Sequence, residues 1–293
     1  MDAVDLHIHS CHSEDGDFSV EEIFRLAHIH NLTAIALTDH DTLSSINEGH
    51  DASRRFGVEF LPGFEITTVH PEDQSQQHIL CYFADPDNED LKTICRRVYA
   101  DRINLARERL DALAKIGFRS DPMTLFSGEK NRPLTATSVV HAVLNHPENR
   151  KHPLLAEYYD GDKRNDQVMS FYREFLAKGK PGFAPLRSIE TKDAIELVLR
   201  AKALPVLAHP VFVANEQILN DITSSGIVGI EAYSSYHTED DTKRYLSFAK
   251  ANRLIVTAGS DFHGPTAKPK VGFASVTGSY EMVEKLLLKK ESL

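Results

Sequence analysis

Val4-Asp5-Leu6-His7-Ile8-His9-Ser10 is the stretch on which the reading of this chain turns. Val4 to Ile8 alternates apolar and polar residues as a short strand does. A two-residue spacing on a strand points His7 and His9 to the same face, where one divalent ion can accept both imidazoles. A lone pair of this kind is more often two surface or core histidines, so its weight depends on what surrounds it. Downstream, Ser19-Val-Glu-Glu22 is a capping box that opens a helix with Ile23, Leu26 and Ala27 inward. Ala34 to Leu37 then reads as a second buried strand, and Leu43 to Phe56 as a helix stopped by Gly57. Glu59 to Leu61 and Phe64 to Thr68 read as extended, and His78 to Phe83 as an apolar run returning beside them. This alternation predicts βαβ units and an α/β fold.

From Leu91 the period changes. Ile94, Val98, Ile103, Ala106, Leu110 and Leu113 follow a helical spacing up to Gly117. Further helical stretches, Ser138 to Leu144 and Gln167 to Ala177, follow among polar loops. Arg96, Arg97, Arg102, Arg107 and Arg109, interspersed with Asp101 and Glu108, read as an exposed, salt-bridged helix face. Strand and helix alternation resumes with the helix Lys192 to Ala201 and the strands Pro205 to Ala208, Ile227 to Ala232 and Leu254 to Ala258. The expected organisation is an α/β body of residues 1–90 and 185–293 interrupted by a helical insertion, 91–184, that contributes to the substrate site.

Composition sets limits on function. With 41% hydrophobic and 26% charged residues among 293, the chain can bury a substantial core. A net charge of −10 opposes long nucleic acids over most of the surface. Three cysteines are too few for a disulfide scaffold, and no basic-then-apolar leader or apolar run of ~18 residues is visible. A cytoplasmic protein is expected, with no membrane association and no evident obligate protein partner. Histidine stands out, with 15 residues in a chain that has no tryptophan.

Those histidines recur at strand ends. Asp261-Phe-His263 repeats the two-residue geometry after the strand that ends near Ala258. His40, Glu65 and His209 follow or end other strands, and His78 opens its run, as an antiparallel return to the same rim requires. The carboxyl ends of parallel strands converge on one mouth, so these side chains are expected to meet around metal. Mixed imidazole and carboxylate ligands without thiolate favour Mn, Fe or Zn over Mg or Ca.

Asp5-Leu-His-Ile-His-Ser10, Asp15-Gly16, Thr38-Asp-His-Asp41, Gly63-Phe-Glu65, His78, Ala208-His-Pro210 and Gly259-Ser-Asp-Phe-His-Gly264, in this order, resemble the PHP (polymerase and histidinol phosphatase) family. Within it they are most similar to the small-substrate phosphoesterases, which include a 3′,5′-bisphosphate nucleotidase and a cyclic-phosphate dihydrolase. The resemblance implies a distorted (β/α)7 barrel with an inserted helical domain and two or three divalent ions at its mouth. By matching motif, His7, His9, Glu65 and Asp261 would hold one ion, and Glu65 would bridge to a second held by His78 and His209. Asp15, His40 and His263 would hold a third, with Asp39 orienting a ligand histidine from behind.

Three divalent ions against Asp15, Glu65 and Asp261 leave about +3 at the mouth, enough to attract a phosphate dianion in an acidic protein. The expected activity is hydrolysis of a small phosphorylated substrate (a nucleotide bisphosphate, a cyclic phosphate or a sugar phosphate) by attack of a metal-bridging hydroxide on phosphorus. Asp261 and His263 are the residues expected to assist catalysis. Arg132 stands where the family has an R-P-H segment, with Leu134 in place of the histidine. Together with Lys180, Arg187 and His237 it is a candidate substrate contact. The alternatives are a 5′-3′ exoribonuclease on short oligonucleotides, a non-catalytic metal-binding module and an amidohydrolase on a C–N bond.

Overall fold

The alternation in the first strand already separates the layers of the barrel. The computed structural model describes residues 2–13, 15–121 and 134–293. It divides into two units, one of Met1–Val98 with Ser188–Leu293 and one of Tyr99–Arg187. The first unit contains β1 (Ala3–Ile8), α1 (Val20–Ile29), β2 (Leu32–Leu37), α2 (Ile46–Phe56), β3 (Glu59–Val69) and β4 (Gln76–Tyr82). α3 (Glu89–Ala114) begins there and runs into the second unit, which also holds α4 (Ala136–Leu144), α5 (Ala156–Asp160) and α6 (Gln167–Phe171). The first unit resumes with α7 (Thr191–Arg200), β5 (Leu204–Leu207), α8 (Glu216–Ser224), β6 (Gly229–Ser234), α9 (Glu239–Asn252), β7 (Ile255–Gly259), β8 (Gly278–Ser279) and α10 (Glu281–Glu291).

The strands follow the order β7-β6-β5-β4-β3-β2-β1-β8. β4 runs antiparallel to both neighbours, while β1–β2, β2–β3, β5–β6 and β6–β7 are parallel. β1 also reaches the segment after β7, where the His9 amide donates to Phe262 O at 2.9 Å and the Asp261 amide to His7 O at 2.8 Å. These bonds bring the ends of the sheet together in a nearly closed mixed barrel ringed by helices. The distorted α/β barrel expected from the sequence is therefore the observed fold, with β4 as the distortion.

Val4, Leu6, Ala34, Ala36, Leu80 and Val206 form one apolar cluster with Val283 and Leu286 of α10. Ile8 belongs instead to the cluster shared with Ile23 and Ala27 of α1. This switch coincides with a register irregularity between Asp5 and Ile8, the kind of local disruption that re-aims side chains. Each such fully buried Val, Leu or Ile contributes roughly 1.5–3 kcal/mol. α10 meets the barrel where β1 begins, through Tyr280 N to Asp2 O at 3.0 Å, leaving the opposite end for polar groups.

Some elements differ from the sequence reading. β3 is one strand, not two: Pro62 pairs with Leu37, and pairing to β4 begins only at Gly63, so no ladder bond is lost at the proline. The stretch 167–177 is α6 followed by a π turn, Tyr172–Leu176. Arg102 and Arg109 are buried in the second unit, not displayed on a solvent face, whereas Arg96 is exposed and pairs with Glu89. Arg132 lies outside the described residues. Among the described residues, no helix is long and apolar enough to cross a membrane.

Candidate metal centre

Glu65 is the hub of a buried cluster. Its Oε2 lies 2.8 Å from His40 Nδ1 and 3.6 Å from His9 Nε2. Its Oε1 lies 3.2 Å from His78 Nδ1, 3.3 Å from His209 Nε2 and 3.5 Å from His7 Nε2. Asp261 is a second hub, with Oδ1 at 3.3 Å from His7 Nε2, 3.2 Å from His9 Nε2 and 3.4 Å from His263 Nδ1. Asp15 Oδ1 sits 3.7 Å from His263 Nε2. The structure thus brings together all of the ligand residues expected from the sequence. Four overlapping trios lie within coordinating reach: His9-His40-His263, His7-His209-Asp261, His7-His9-Glu65 and His40-Glu65-His78.

The backbone is arranged to make this possible. β2 extends past its last residue, because Asp41 N donates to Glu65 O at 2.7 Å and Glu65 N to Asp39 O at 3.0 Å, which sets His40 beside Glu65. Asp41, His209 and Asp261 all have positive φ, at 53°, 26° and 55°, a concentration of backbone strain typical of functional sites. Gly259 has no room for a side chain: a Cβ there would lie 2.1 Å from His7 Cβ and 2.7 Å from Glu231 Oε1.

A second layer of carboxylates holds the ligands. Asp39 makes no direct bond to a histidine. It accepts from Ser10 N and Oγ at 2.7 and 2.8 Å and from Ser13 Oγ at 3.1 Å, and Ser13 Oγ is 3.1 Å from His9 Nδ1. The orienting role inferred for Asp39 therefore reaches His9 only through Ser13.

Glu231, which the sequence reading passed over, is fully buried on β6. Its Oε1 lies 2.9 Å from His7 Nδ1, and its Oε2 accepts from His209 N at 2.7 Å. The signal for it was a lone carboxylate inside a buried strand. Asp261 Oδ2 is held by Tyr236 OH at 2.7 Å and by Lys268 Nζ, also unforeseen, which leaves Oδ1 facing His7 and His9. Asp5 accepts from Ser260 N and Oγ at 2.9 and 2.6 Å, and burial pushes its carboxyl up to about 7.

Charge and burial favour cations. Glu65 pays a burial penalty, yet His78, His40 and His7 hold its carboxyl well below the ordinary range. Asp261 is likewise held down, by Lys268, His7 and His263 against burial. Burial drives His9, His78 and His263 down, which favours the lone-pair form that a metal ligand needs. His7 is held up, because Glu231, Asp261 and Glu65 together outweigh its burial.

Buried Asp15 Oδ1, both Glu65 oxygens, His78 Nδ1, Asp261 Oδ1 and His263 Nε2 have no hydrogen-bond partner among the described residues. Unsatisfied acceptors crowded in this way are costly unless cations lie among them. The donor set of imidazoles and carboxylates without thiolate suits divalent metal.

Of the substrate candidates, His237 is in the first unit, its Nδ1 3.0 Å from Ala232 O and its ring against Tyr245. Lys180 is exposed, and Arg187 pairs with Glu108 at 3.3 Å, both within the second unit. None of the three lies among the metal-site trios.

The PHP domain family model matches residues 5–285. A phosphoribosyl 1,2-cyclic phosphate 1,2-diphosphodiesterase of Eggerthella lenta is 27% identical over 92% of this chain and 97% of its own length. A 3′,5′-nucleoside bisphosphate phosphatase of Chromobacterium violaceum is 26% identical over 90% of this chain and 88% of its own. A solved structure from Bifidobacterium adolescentis, described as a metal-dependent phosphoesterase, superposes with a TM-score of 0.80 at 22% identity, covering 98% of this chain and 96% of that one. That likeness matches the barrel described above. The ligand motifs in their order and the family match over nearly the whole length lead to one conclusion: this chain belongs to the PHP domain family.

Proposed function

We propose that this chain is a metal-dependent phosphoesterase hydrolysing a small phosphorylated substrate, a nucleotide bisphosphate, a cyclic phosphate or a sugar phosphate. The observation that carries the reading is the pair Glu65 and Asp261, buried among six histidines, with both Glu65 oxygens and Asp261 Oδ1 lacking a hydrogen bond among the described residues. The residues assigned to two or three ions of Mn, Fe or Zn are His7, His9, Asp15, His40, Glu65, His78, His209, Asp261 and His263. Bound divalent ions supply charge neutralisation on phosphoryl oxygens and lower the pKa of a bound water toward roughly 7.

The protein's own groups do the rest. His9, His78 and His263, whose protonation burial disfavours, would present lone pairs, and Glu231 fixes His7 so that Nε2 faces the cluster. Asp261 and His263 are the groups we assign to proton handling. Tyr236 and Lys268 bind Asp261 Oδ2 and are the protic groups nearest that carboxylate. A small substrate is favoured over an extended RNA by the net charge of −10, which repels a long polyanion while the site attracts one phosphate. We place the activity in the cytoplasm, in keeping with three free cysteines.

The test is turnover by metal-analysed protein on mono-, bis- and cyclic phosphates beside a 5′-phosphorylated RNA oligomer. Hydrolysis of a small phosphate, abolished in Asp261→Asn, supports the reading. Preference for the RNA oligomer would move it to the exoribonuclease alternative. Metal content without hydrolysis of any phosphoester would leave only a metal-binding module.

A further inference from the structure

The loop after β5 places an aromatic ring beside the metal centre that the hydrolytic chemistry does not use. His209, at φ 26°, leads into a short 3₁₀ turn, Pro210–Phe212, in which Phe212 N donates to His209 O at 3.2 Å and Val213 N to Pro210 O at 3.0 Å. Val211 and Val213 pack against the apolar core of the first unit, and Phe212 between them is 58% exposed. The proline and the paired backbone fix the turn, so the ring is held in place before any ligand arrives.

A single exposed phenylalanine is ordinary on a protein surface. The neighbours of this one set it apart. Its ring centroid lies 5.3 Å from that of His209, whose Nε2 is 3.3 Å from Glu65 Oε1. It lies 4.9 Å from that of Tyr236, whose hydroxyl donates to Asp261 Oδ2 at 2.7 Å. Interplanar angles of 71° and 64° show that neither ring is stacked on Phe212. Tyr236 is itself fixed, by Asp261 at its hydroxyl and by Lys268 Nζ 5.3 Å from its ring centroid. Phe212 and Tyr236 therefore form an aromatic wall bordering both carboxylate hubs, Glu65 across His209 and Asp261 at the Tyr236 hydroxyl.

In a nucleotide one pentose separates the phosphate from the base, and here one imidazole separates Glu65 from the wall. An aromatic face favours a planar π system over sugar hydroxyls, because stacking buries apolar area and accepts any base.

We infer that Phe212, backed by Tyr236, stacks on the base of the substrate and selects nucleotides over sugar phosphates that lack a base. The inference rests on the phosphoesterase reading for the position of the phosphate and narrows its substrate class, but its first tests read binding alone.

The chain has no tryptophan, so Phe212→Trp introduces a single fluorophore at the wall. Metal-loaded full-length protein is titrated with adenosine 5′-monophosphate and with ribose 5-phosphate, which differ by the base. The nucleotide should quench the tryptophan emission to saturation, and ribose 5-phosphate should leave it unchanged. By calorimetry, Phe212→Ala should weaken nucleotide binding about 5- to 150-fold, the range for losing one base stack, and ribose 5-phosphate binding by less than about 2-fold. Phe212→Tyr should retain the preference for the nucleotide. In turnover, Phe212→Ala should lower kcat/KM for a nucleotide substrate by a similar factor and spare its base-free analogue.

A Phe212→Ala protein that loses neither ligand, or both to the same extent, overturns the inference, as does Phe212→Trp without quenching at millimolar nucleotide. The absence of hydrolysis on every phosphoester would strike the phosphoesterase reading and leave the two binding measurements to decide this one.

Discussion

Replacing Glu231 by Gln changes one oxygen to an amide, and the structure makes that small change severe. Glu231 accepts on both oxygens, from His209 N at 2.7 Å and beside His7 Nδ1 at 2.9 Å. The backbone donor at His209 cannot move without disturbing a residue already at φ 26°. The Gln carbonyl must therefore serve His209, which turns the amide NH2 toward His7 Nδ1. Facing a donor, Nδ1 must keep its lone pair, so the neutral ring carries its proton on Nε2. That is the atom facing Glu65, Asp261 and His9, and a protonated nitrogen cannot coordinate metal.

Loss of such a supporting carboxylate typically weakens metal binding by about 10- to 100-fold. That range corresponds to roughly 1.4–2.7 kcal/mol. The assay is competition of wild type and variant against a chelator of known affinity, with bound metal measured directly. Glu231→Ala, which leaves Nδ1 free of any forced donor and opens space for water, should bind metal at least as well as Glu231→Gln. A Gln variant that retains wild-type affinity would refute the tautomer argument.

Other perturbations probe other parts of the account. Lys268→Met should lower the melting temperature of metal-free protein, because it strips a charged donor from buried Asp261. About 1.5–3 kcal/mol is at stake, nearer the lower end since Lys268 is a quarter exposed, and Lys268→Arg should recover part of it. Gly259→Ala should cost at least about 2 kcal/mol and reduce bound metal in the same purified protein, because its Cβ would meet His7 Cβ at 2.1 Å. Metal uptake should release protons near neutral pH, since His7 is held protonated above its usual 6.5. Affinity should therefore fall as pH is lowered and level off once pH exceeds the raised value for His7, by up to about tenfold per pH unit for each proton displaced. Chelation should lower the melting temperature. Free metal at about 100 times Kd adds roughly 2.7 kcal/mol of stability, or about 5–10 °C for a domain of this size.

The ligand set was readable because it sits at punctuation points of the sequence. His7 and His9 close a strand, His40 and His209 follow strands, and Asp261-Phe-His263 follows the last long one, so strand-end position aims them at one rim, whereas Asp15 and the sharing of ligands among ions came from the family resemblance. Glu231 escaped because it lies inside the run Ile227 to Ala232, where the apolar pattern outweighs a single carboxylate and its partner is far away in sequence. Lys268 escaped for a different reason: it sits in a loop rich in Gly and Pro, where no period indicates direction. It reaches Asp261 because the loop is pinned by Thr266 N to Asp17 Oδ2 at 2.7 Å. Pro62-Gly63 looked like a break in β3 because sequence shows the missing donor but not which neighbour would have needed it. The arginines of α3 were misassigned because a charged helix face looks the same in sequence whether it meets solvent or another helix. Arg102 and Arg109 differ from Arg96 only in being buried, which the sequence pattern does not show.

The central claim is that these scattered imidazoles and carboxylates share divalent ions. Anomalous diffraction from crystals of manganese-loaded protein tests it most directly. Strong peaks are expected within about 2.0–2.3 Å of Glu65 and Asp261 oxygens and of His7, His9 and His209 nitrogens. Peaks confined to surface carboxylates, with Glu65 and Asp261 left uncoordinated at saturating manganese, would contradict it.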